Sequence, residues 1–296
     1  DPSFLRVPDD ILDQLKKGYT WSLSRNILLL DELDRVLKAF NEAGIEVMVL
    51  KGAALAQTVY PDIALRPMGD VDLLIKEDTL RLVEGKLAKL GYKFKPYHHT
   101  NDFCKEYYLE KANSSHKLEI HWGFTSCRLH VGDGINTSDI WGGAISRQIG
   151  NSDFLQMGLE DHILYLSWHY TKHRFGEISW LCDVAQLVKN DGSLINWEPL
   201  MEKARKWKSV KPLYYTLYLG KEILNIQIPK NVYQQLKSSE IERILFEFSF
   251  SKTSWHYEKS KISNRTFLLP LRLLTIDGIM DKIKFLKESW SLISNR

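Results

Sequence analysis

Cysteine is scarce in this chain: Cys104, Cys127 and Cys182 are the three present, and they lie far apart. No Cys-x-x-Cys occurs, which argues against a zinc site built on cysteine. An odd count without a framework argues against a disulfide-stapled secreted domain and for a reducing, cytoplasmic setting. No signal peptide is visible, and the chain begins at Asp1 without a methionine. Long apolar runs are lacking as well. The best candidate, Phe267 to Ile276, is too short to cross a bilayer and carries Arg272. Nor is there an excess of charge of one sign: 40 Lys and Arg against 37 Asp and Glu leave +3, with a pI near 8.5. That balance does not by itself argue for a nucleic-acid partner. There is no internal repeat, no low-complexity tract, and no His-Glu-x-x-His of a zinc protease.

What is present is enough apolar material for a real core. The hydrophobic fraction is 44% with a mean hydropathy of -0.27 over 296 residues, a length that suits one large domain or two modest ones. From Ile11 to Phe40 the pattern is helical, with Leu30, Leu33, Val36, Leu37 and Phe40 at helical spacing and Gly44 as the stop. A short apolar strand, Ile45 to Leu50, runs into a helix-like stretch from Ala53 to Tyr60. A strand through Asp70 to Ile75 follows, then a helix from Asp78 to Leu90 with Asp78 as its cap, ended by Gly91. Tyr92 to Pro96, Glu106 to Glu110 and Lys117 to Phe124 read as further strands. These elements predict an α+β core, a small mixed sheet with helices packed on it. Gly132 to Asp153 reads as a looser stretch, which places a division near residue 150: an α+β domain with N-terminal helices over 1–150, and an all-α domain over 151–296. In the second part Leu159 to His173, Glu177 to Lys189, Trp197 to Trp207, Lys211 to Leu224 and Asn231 to Phe250 read as helices.

The chemistry concentrates in the run Gly69-Asp70-Val71-Asp72-Leu73-Leu74-Ile75. Residues two apart on a strand share a face, so Asp70 and Asp72 converge on one side while Val71 and Leu73 turn to the core. Two carboxylates held that close call for a positive charge between them, and an oxygen-only donor set suits Mg²⁺ or Mn²⁺. Upstream, the apolar strand ends at Lys51-Gly52-Ala53. A strand that passes through a glycine into a helix N-terminus presents backbone N–H groups to a phosphate, and Lys51 adds a point charge there. Arg66 lies in the loop between Pro61 and Asp70, stiffened by Pro61 and Pro67. On the later strand His116 to Trp122, Glu119 and His121 share the face opposite Leu118 and Ile120. Glu119 is the candidate third carboxylate, with His121 beside it.

The stretch LKGAALAQTVYPDIALRPMGDVDLLI (Leu50 to Ile75), followed by LEIHW (Leu118 to Trp122), resembles the uncharacterised nucleotidyltransferase family of the polymerase-β-type superfamily. LSWHYTKHRFGEISWLCDVAQLV (Leu166 to Val188) is similar to that family's helical segment, and the resemblance covers roughly Leu29 to Val188. It implies a polymerase-β-like core followed by a helical domain. It also implies Asp70, Asp72 and Glu119 as metal ligands and catalytic residues, and a phosphate-binding turn around Lys51, Gly52 and Ala53 with Arg66 and Gly69 nearby. The co-substrate is then an NTP, ATP in the first instance, with Mg²⁺ or Mn²⁺. Glu119, or less readily His121, takes the proton of an acceptor hydroxyl on a small molecule, a protein or a tRNA. Ala53 stands where many members of the superfamily carry Ser or Gly, and the gap from Gly52 to Asp70 is longer than in compact members.

The helical half has candidates of its own. His162, His169 and His173 recur at steps of seven and four, on one helix face, and Asp183 follows on the next helix. They read as packed histidines where two helices meet, or as the lining of a cleft that closes over nucleotide or acceptor. The basic run Lys203 to Lys211, with Trp207 inside it, reads as a solvated helix end or, less readily, as a nucleic-acid contact. Two rival functions follow: a catalytically weakened nucleotide-binding or toxin–antitoxin-type regulatory module, suggested by Ala53, and a metal-dependent hydrolase centred on His169, His173 and Asp183.

Overall fold

The structure, a computed structural model, describes residues 7–95, 105–111, 117–124, 135–253 and 265–294. Cys104 and Cys127, and His116 at the head of the Glu119 run, lie outside the described residues. The described parts fall into two compact units.

The first unit is a seven-stranded mixed sheet with helices. It contains α1 (Asp9–Asn41), β1 (Val47–Val49), α2 (Lys51–Thr58), β2 (Val71–Ile75), α3 (Leu80–Lys89), β3 (Tyr92–Lys95), β4 (Glu106–Lys111), β5 (Lys117–His121), β6 (Ile145–Ile149) and β7 (Ser152–Gln156). The strand order is β3-β4-β5-β2-β1-β7-β6. β2 is the pivot, antiparallel to β1 and parallel to β5. One sheet face is apolar because alternate residues of each strand are: Val47 and Val49, Val71, Leu73 and Ile75, Leu118 and Ile120 are all buried there. The apolar stripe of α1 (Leu29, Leu33, Val36, Leu37 and Phe40) and Val83 and Leu87 of α3 belong to the same cluster. Fully burying aliphatic side chains of this size stabilises by about 1.5–3 kcal/mol each.

Most predicted elements appear within a residue or two of their expected bounds. One difference is the hairpin β6–β7, inside the stretch expected to be loose. Gly150, at φ +56°, and Asn151 form a tight connection of the kind that suits strand twist. β7 lies parallel to β1, and α1 fastens it: Asn41 Nδ2 donates to the Asp153 carbonyl at 3.1 Å and Asn41 Oδ1 accepts from the Asp153 N–H at 2.9 Å. The sheet unit thus runs on to residue 156, past the division expected near 150.

The second unit is helical: α4 (Thr137–Gly142), α5 (Leu159–Lys172), α6 (Ile178–Asp191), α7 (Trp197–Lys206), α8 (Val210–Leu224), α9 (Lys230–Leu236), α10 (Glu240–Thr253), α11 (Arg265–Leu274) and α12 (Ile279–Ser294). The single helix expected over Asn231 to Phe250 is two. The break has a local cause, a reciprocal cap in which Ser239 Oγ accepts from the Glu242 N–H at 3.2 Å and Glu242 Oε2 accepts from the Ser239 N–H at 3.4 Å. Among the described residues no helix is long and apolar enough to cross a membrane.

Candidate active site

The polar face of the sheet carries the site. Parallel register sets Asp72 of β2 opposite Glu119 of β5, and antiparallel register sets Glu106 of β4 opposite His121 of β5. All four side chains share the face away from the apolar cluster. His121 is bracketed by the three acids. Its Nε2 is 3.0 Å from Asp72 Oδ1 and 3.6 Å from Glu119 Oε2, and its Nδ1 is 3.4 Å from Glu106 Oε2. Lys51 Nζ donates to the same Asp72 Oδ1 at 2.6 Å. Asp72 and His121 are 3% and 5% exposed, so these charges meet where water screens them little. Asp72, Glu119 and His121 present ligand atoms within 4.8 Å of one another, the one such metal-capable group among the described residues.

The electrostatics follow from that crowding. Burial works against the Asp72 carboxylate, but Lys51 and His121 outweigh it and hold its pKa well below the usual range. Glu119 is pushed up to about 7 by burial and by the Asp72 charge, only partly offset by His121 and Lys51. Burial alone would lower His121. Its bonds to Asp72, Glu106 and Glu119 reverse the sign and push it up to about 10. Asp70, one residue before β2 and outside the 4.8 Å group, is raised by burial and by Asp72, against Lys51, Lys117 and Arg66.

Two further pieces frame the cluster. Lys51 is the first residue of α2, not the end of a strand, and it stands in the left-handed region at φ +47°. A non-glycine residue there is strained by about 1–2 kcal/mol, a cost met by the bond that fixes Nζ on Asp72. Gly52 comes next, and the buried Arg66 guanidinium lies against it. A Cβ at position 52 would sit 3.4 Å from Arg66 Cζ and 3.2 Å from Met68 Cγ, tighter than ordinary contact. The Ala53 methyl belongs to the apolar core, so what that residue can offer a phosphate is backbone N–H.

The loop bearing Arg66 is clamped from α1 by residues the sequence reading passed over. Asn26, fully buried, donates to the carbonyls of Ile63 at 2.6 Å and Arg66 at 2.9 Å and accepts from the Met68 N–H at 3.3 Å. Arg25 Nε donates to the Met68 carbonyl at 2.7 Å, and its Nη2 to the Gly69 carbonyl at 2.8 Å. Glu106 also went unnoticed. It heads an alternating run that was recognised as a strand, and its face could have been inferred only with the pairing to β5 in hand.

His169, His173 and Asp183 belong to the helical unit and form no metal-capable group among the described residues. The His169 and His173 rings lie 4.5 Å apart and pack on Trp180 at 4.7 and 5.0 Å, with His169 and Asp183 buried. His162 is buried with neither ring nitrogen hydrogen-bonded. The four lysines of the basic run are paired within their own unit: Lys203 with Asp161, Lys206 with Asp139 at 2.6 Å, Lys208 with Asp281 at 2.8 Å, and Lys211 with Glu242.

Among solved structures the chain is similar to ANT(2″)-Ia in complex with adenylyl-2″-tobramycin. The identity is 12% and the TM-score 0.44, over 61% of this chain and 97% of that one. It is similar to the lincomycin-bound lincosamide antibiotic adenylyltransferase LnuA, at 17% identity and TM-score 0.35 over 53% and 94%. A tRNA-processing enzyme in an apo form matches at 14% identity and TM-score 0.31 over 88% and 73%. No functionally curated protein is matched. The decisive match is to a family model described as uncharacterised nucleotidyltransferase, which covers residues 2–225 and so spans the sheet, the site and the helices through α8. The chain belongs to that family and is a nucleotidyltransferase with an α+β core and a helical C-terminal region.

Proposed function

We propose that the protein moves a nucleoside monophosphate from an NTP, ATP in the first instance, to an acceptor hydroxyl with release of pyrophosphate, and that this transfer depends on Mg²⁺ or Mn²⁺. The observation that carries the reading is the cross-strand pair of buried Asp72 and half-buried Glu119, with Lys51 Nζ at 2.6 Å from Asp72 and Arg66 against Gly52 at the start of α2. Acid and base are thus sorted side by side, carboxylates on the sheet and cations on the turn.

The donor chemistry fits a hard divalent ion. Both described bonds to the Asp72 carboxylate fall on Oδ1, and the Asp72, Glu119 and His121 ligand atoms already lie within reach of one centre. Asp72 and Glu119 would hold the ion, with Asp70 at the edge of the group. When bound, such an ion polarises phosphoryl oxygens and offsets charge in the transition state.

The remaining work belongs to the chain itself. The N-terminal N–H groups of α2, from Gly52 and Ala53 onward, bind phosphate oxygens, and the bare Gly52 lets them approach. Lys51 and Arg66 neutralise the outer phosphates, and the clamp from Arg25 and Asn26 keeps Arg66 from reorienting as charge builds. Glu119, on the strand beside Asp72, is the carboxylate placed to accept the proton of the attacking hydroxyl. Small molecules, proteins and tRNA all remain acceptor classes in this reading.

The test is incubation with each α-³²P-labelled NTP and Mg²⁺ or Mn²⁺ in a cell extract, following pyrophosphate release and label transfer. Transfer that Asp72→Asn abolishes is the expected result. Nucleotide binding without pyrophosphate release from any NTP or extract would favour the regulatory binding module instead.

A further inference from the structure

We infer that His121 is a nitrogen ligand of the divalent ion proposed above, and that Glu106 is the positioning residue that holds its ring. The inference rests on that reading and adds a donor to the carboxylate set. From the sequence His121 is a cofactor-binding candidate and a secondary proton acceptor with no metal-ligand role, and Glu106 has no role at all.

The geometry is that of a carboxylate–imidazole pair aimed at an ion. Nδ1 of His121 faces Glu106 Oε2 at 3.4 Å, while Nε2 points the opposite way, toward Asp72 Oδ1 at 3.0 Å and Glu119 Oε2 at 3.6 Å. Metal-binding histidines commonly donate their second ring N–H to a carboxylate, which fixes tautomer and orientation. Here the cross-strand pairing of Glu106 with His121 supplies that partner from the backbone up. His121 and Glu106 are both buried, so the ring has little room to turn elsewhere. Three carboxylates around one imidazole also need more positive charge than Lys51 provides. On ion binding the Nε2 proton leaves to solvent and the nitrogen lone pair takes the ion in its place. A mixed oxygen–nitrogen set favours Mn²⁺ over Mg²⁺, because imidazole suits the first-row transition ions better than the harder Mg²⁺.

The experiment is Mn²⁺ binding to the full chain, followed by EPR titration, with electron spin-echo modulation reporting directly bound nitrogen. It is run with and without a non-hydrolysable NTP analogue. Wild type is expected to show ¹⁴N modulation that His121→Gln abolishes. Glu106→Ala should weaken Mn²⁺ affinity on the order of 10- to 100-fold, and Glu106→Gln, which still accepts from Nδ1–H, should recover most of it. Mn²⁺ bound in an Asp72-dependent way without ¹⁴N modulation would overturn the ligand role of His121 and leave the carboxylate site standing. Glu106→Ala indistinguishable from wild type would overturn the positioning role. Mn²⁺ binding indifferent to Asp72→Asn, or no binding at all, would remove the underlying site together with this inference.

Discussion

Replacing Lys51 with methionine takes away the ammonium that sits 2.6 Å from Asp72 Oδ1 and leaves a carboxylate that is 3% exposed. Removing one partner of a buried pair typically costs about 3–5 kcal/mol, since the other charge stays buried and unpaired. Here the loss is smaller, because His121 Nε2 bonds the same oxygen at 3.0 Å. We expect about 2–3 kcal/mol for Lys51→Met, or a melting temperature lower by about 4–10 °C for a chain of this size. Lys51→Gly removes the same charge but also relieves the left-handed φ of +47°, so it should be more stable than the methionine variant by about 1–2 kcal/mol. The pH dependence has a definite sign. The folded-state pKa of Asp72 is lowered, so the stability it contributes is present above its unfolded value of 3.8 and is lost as pH falls below that. The gap between wild type and Lys51→Met should therefore be widest near neutral pH and close in acid. Thermal melts and urea titrations from pH 7 down to 3 measure it. A methionine variant as stable as wild type at pH 7, or a gap that widens on acidification, would refute the assignment of Lys51 as the cation that holds Asp72.

Three other outcomes follow from the same kind of reasoning. Gly52→Ala pushes a methyl to 3.2 Å from Met68 Cγ and 3.4 Å from the Arg66 guanidinium; stability should fall by about 1–3 kcal/mol and KM for NTP should rise, and an unchanged KM would separate Arg66 from phosphate binding. Burial alone holds His162 at about 4, below its ordinary 6.5, so it charges in the unfolded chain first and stability drops by about 3 kcal/mol as pH falls from 6.5 to 4; His162→Leu should flatten that part of the urea-stability profile, and an unchanged slope would sink the argument. Lys206→Ala with Lys208→Ala removes two lysines already paired with Asp139 and Asp281; affinity for single-stranded RNA should hardly move, whereas loss of two real phosphate contacts would weaken binding on the order of 10-fold and lower the salt slope by about 1.5.

The elements were largely legible because the chain states its periods clearly. The α1 stripe, the alternation through Val71, Asp72 and Leu73, and the Glu119 run each carry a pattern that only one kind of secondary structure can bury. The β6–β7 hairpin was not read, although Gly150-Asn151 is a turn signal. β6 is almost wholly exposed and shows no apolar alternation, so the flanking runs looked like loop. The helix break at Ser239 was missed for a different reason: Ser239 and Glu242 form a capping pair inside a segment whose spacing is helical on both sides.

By itself, the sequence determined which side chains within a strand share a face, Glu119 with His121 against Leu118 with Ile120, since side-chain alternation is a local property of the backbone. It also carried the family, through Lys51-Gly52, Arg66 to Asp72 and Glu119 to Trp122. Only the tertiary structure decided which strands are neighbours and in what register. Parallel pairing of β2 with β5 sets Asp72 opposite Glu119, and antiparallel pairing of β4 with β5 brings Glu106 to His121. Such pairings join residues far apart in the chain, and nothing in a local pattern encodes which distant strand will supply the hydrogen bonds of an open edge. The clamp of Arg25 and Asn26 on the Arg66 loop belongs to the same class, contacts made across about 40 residues by the packing of α1 against the sheet.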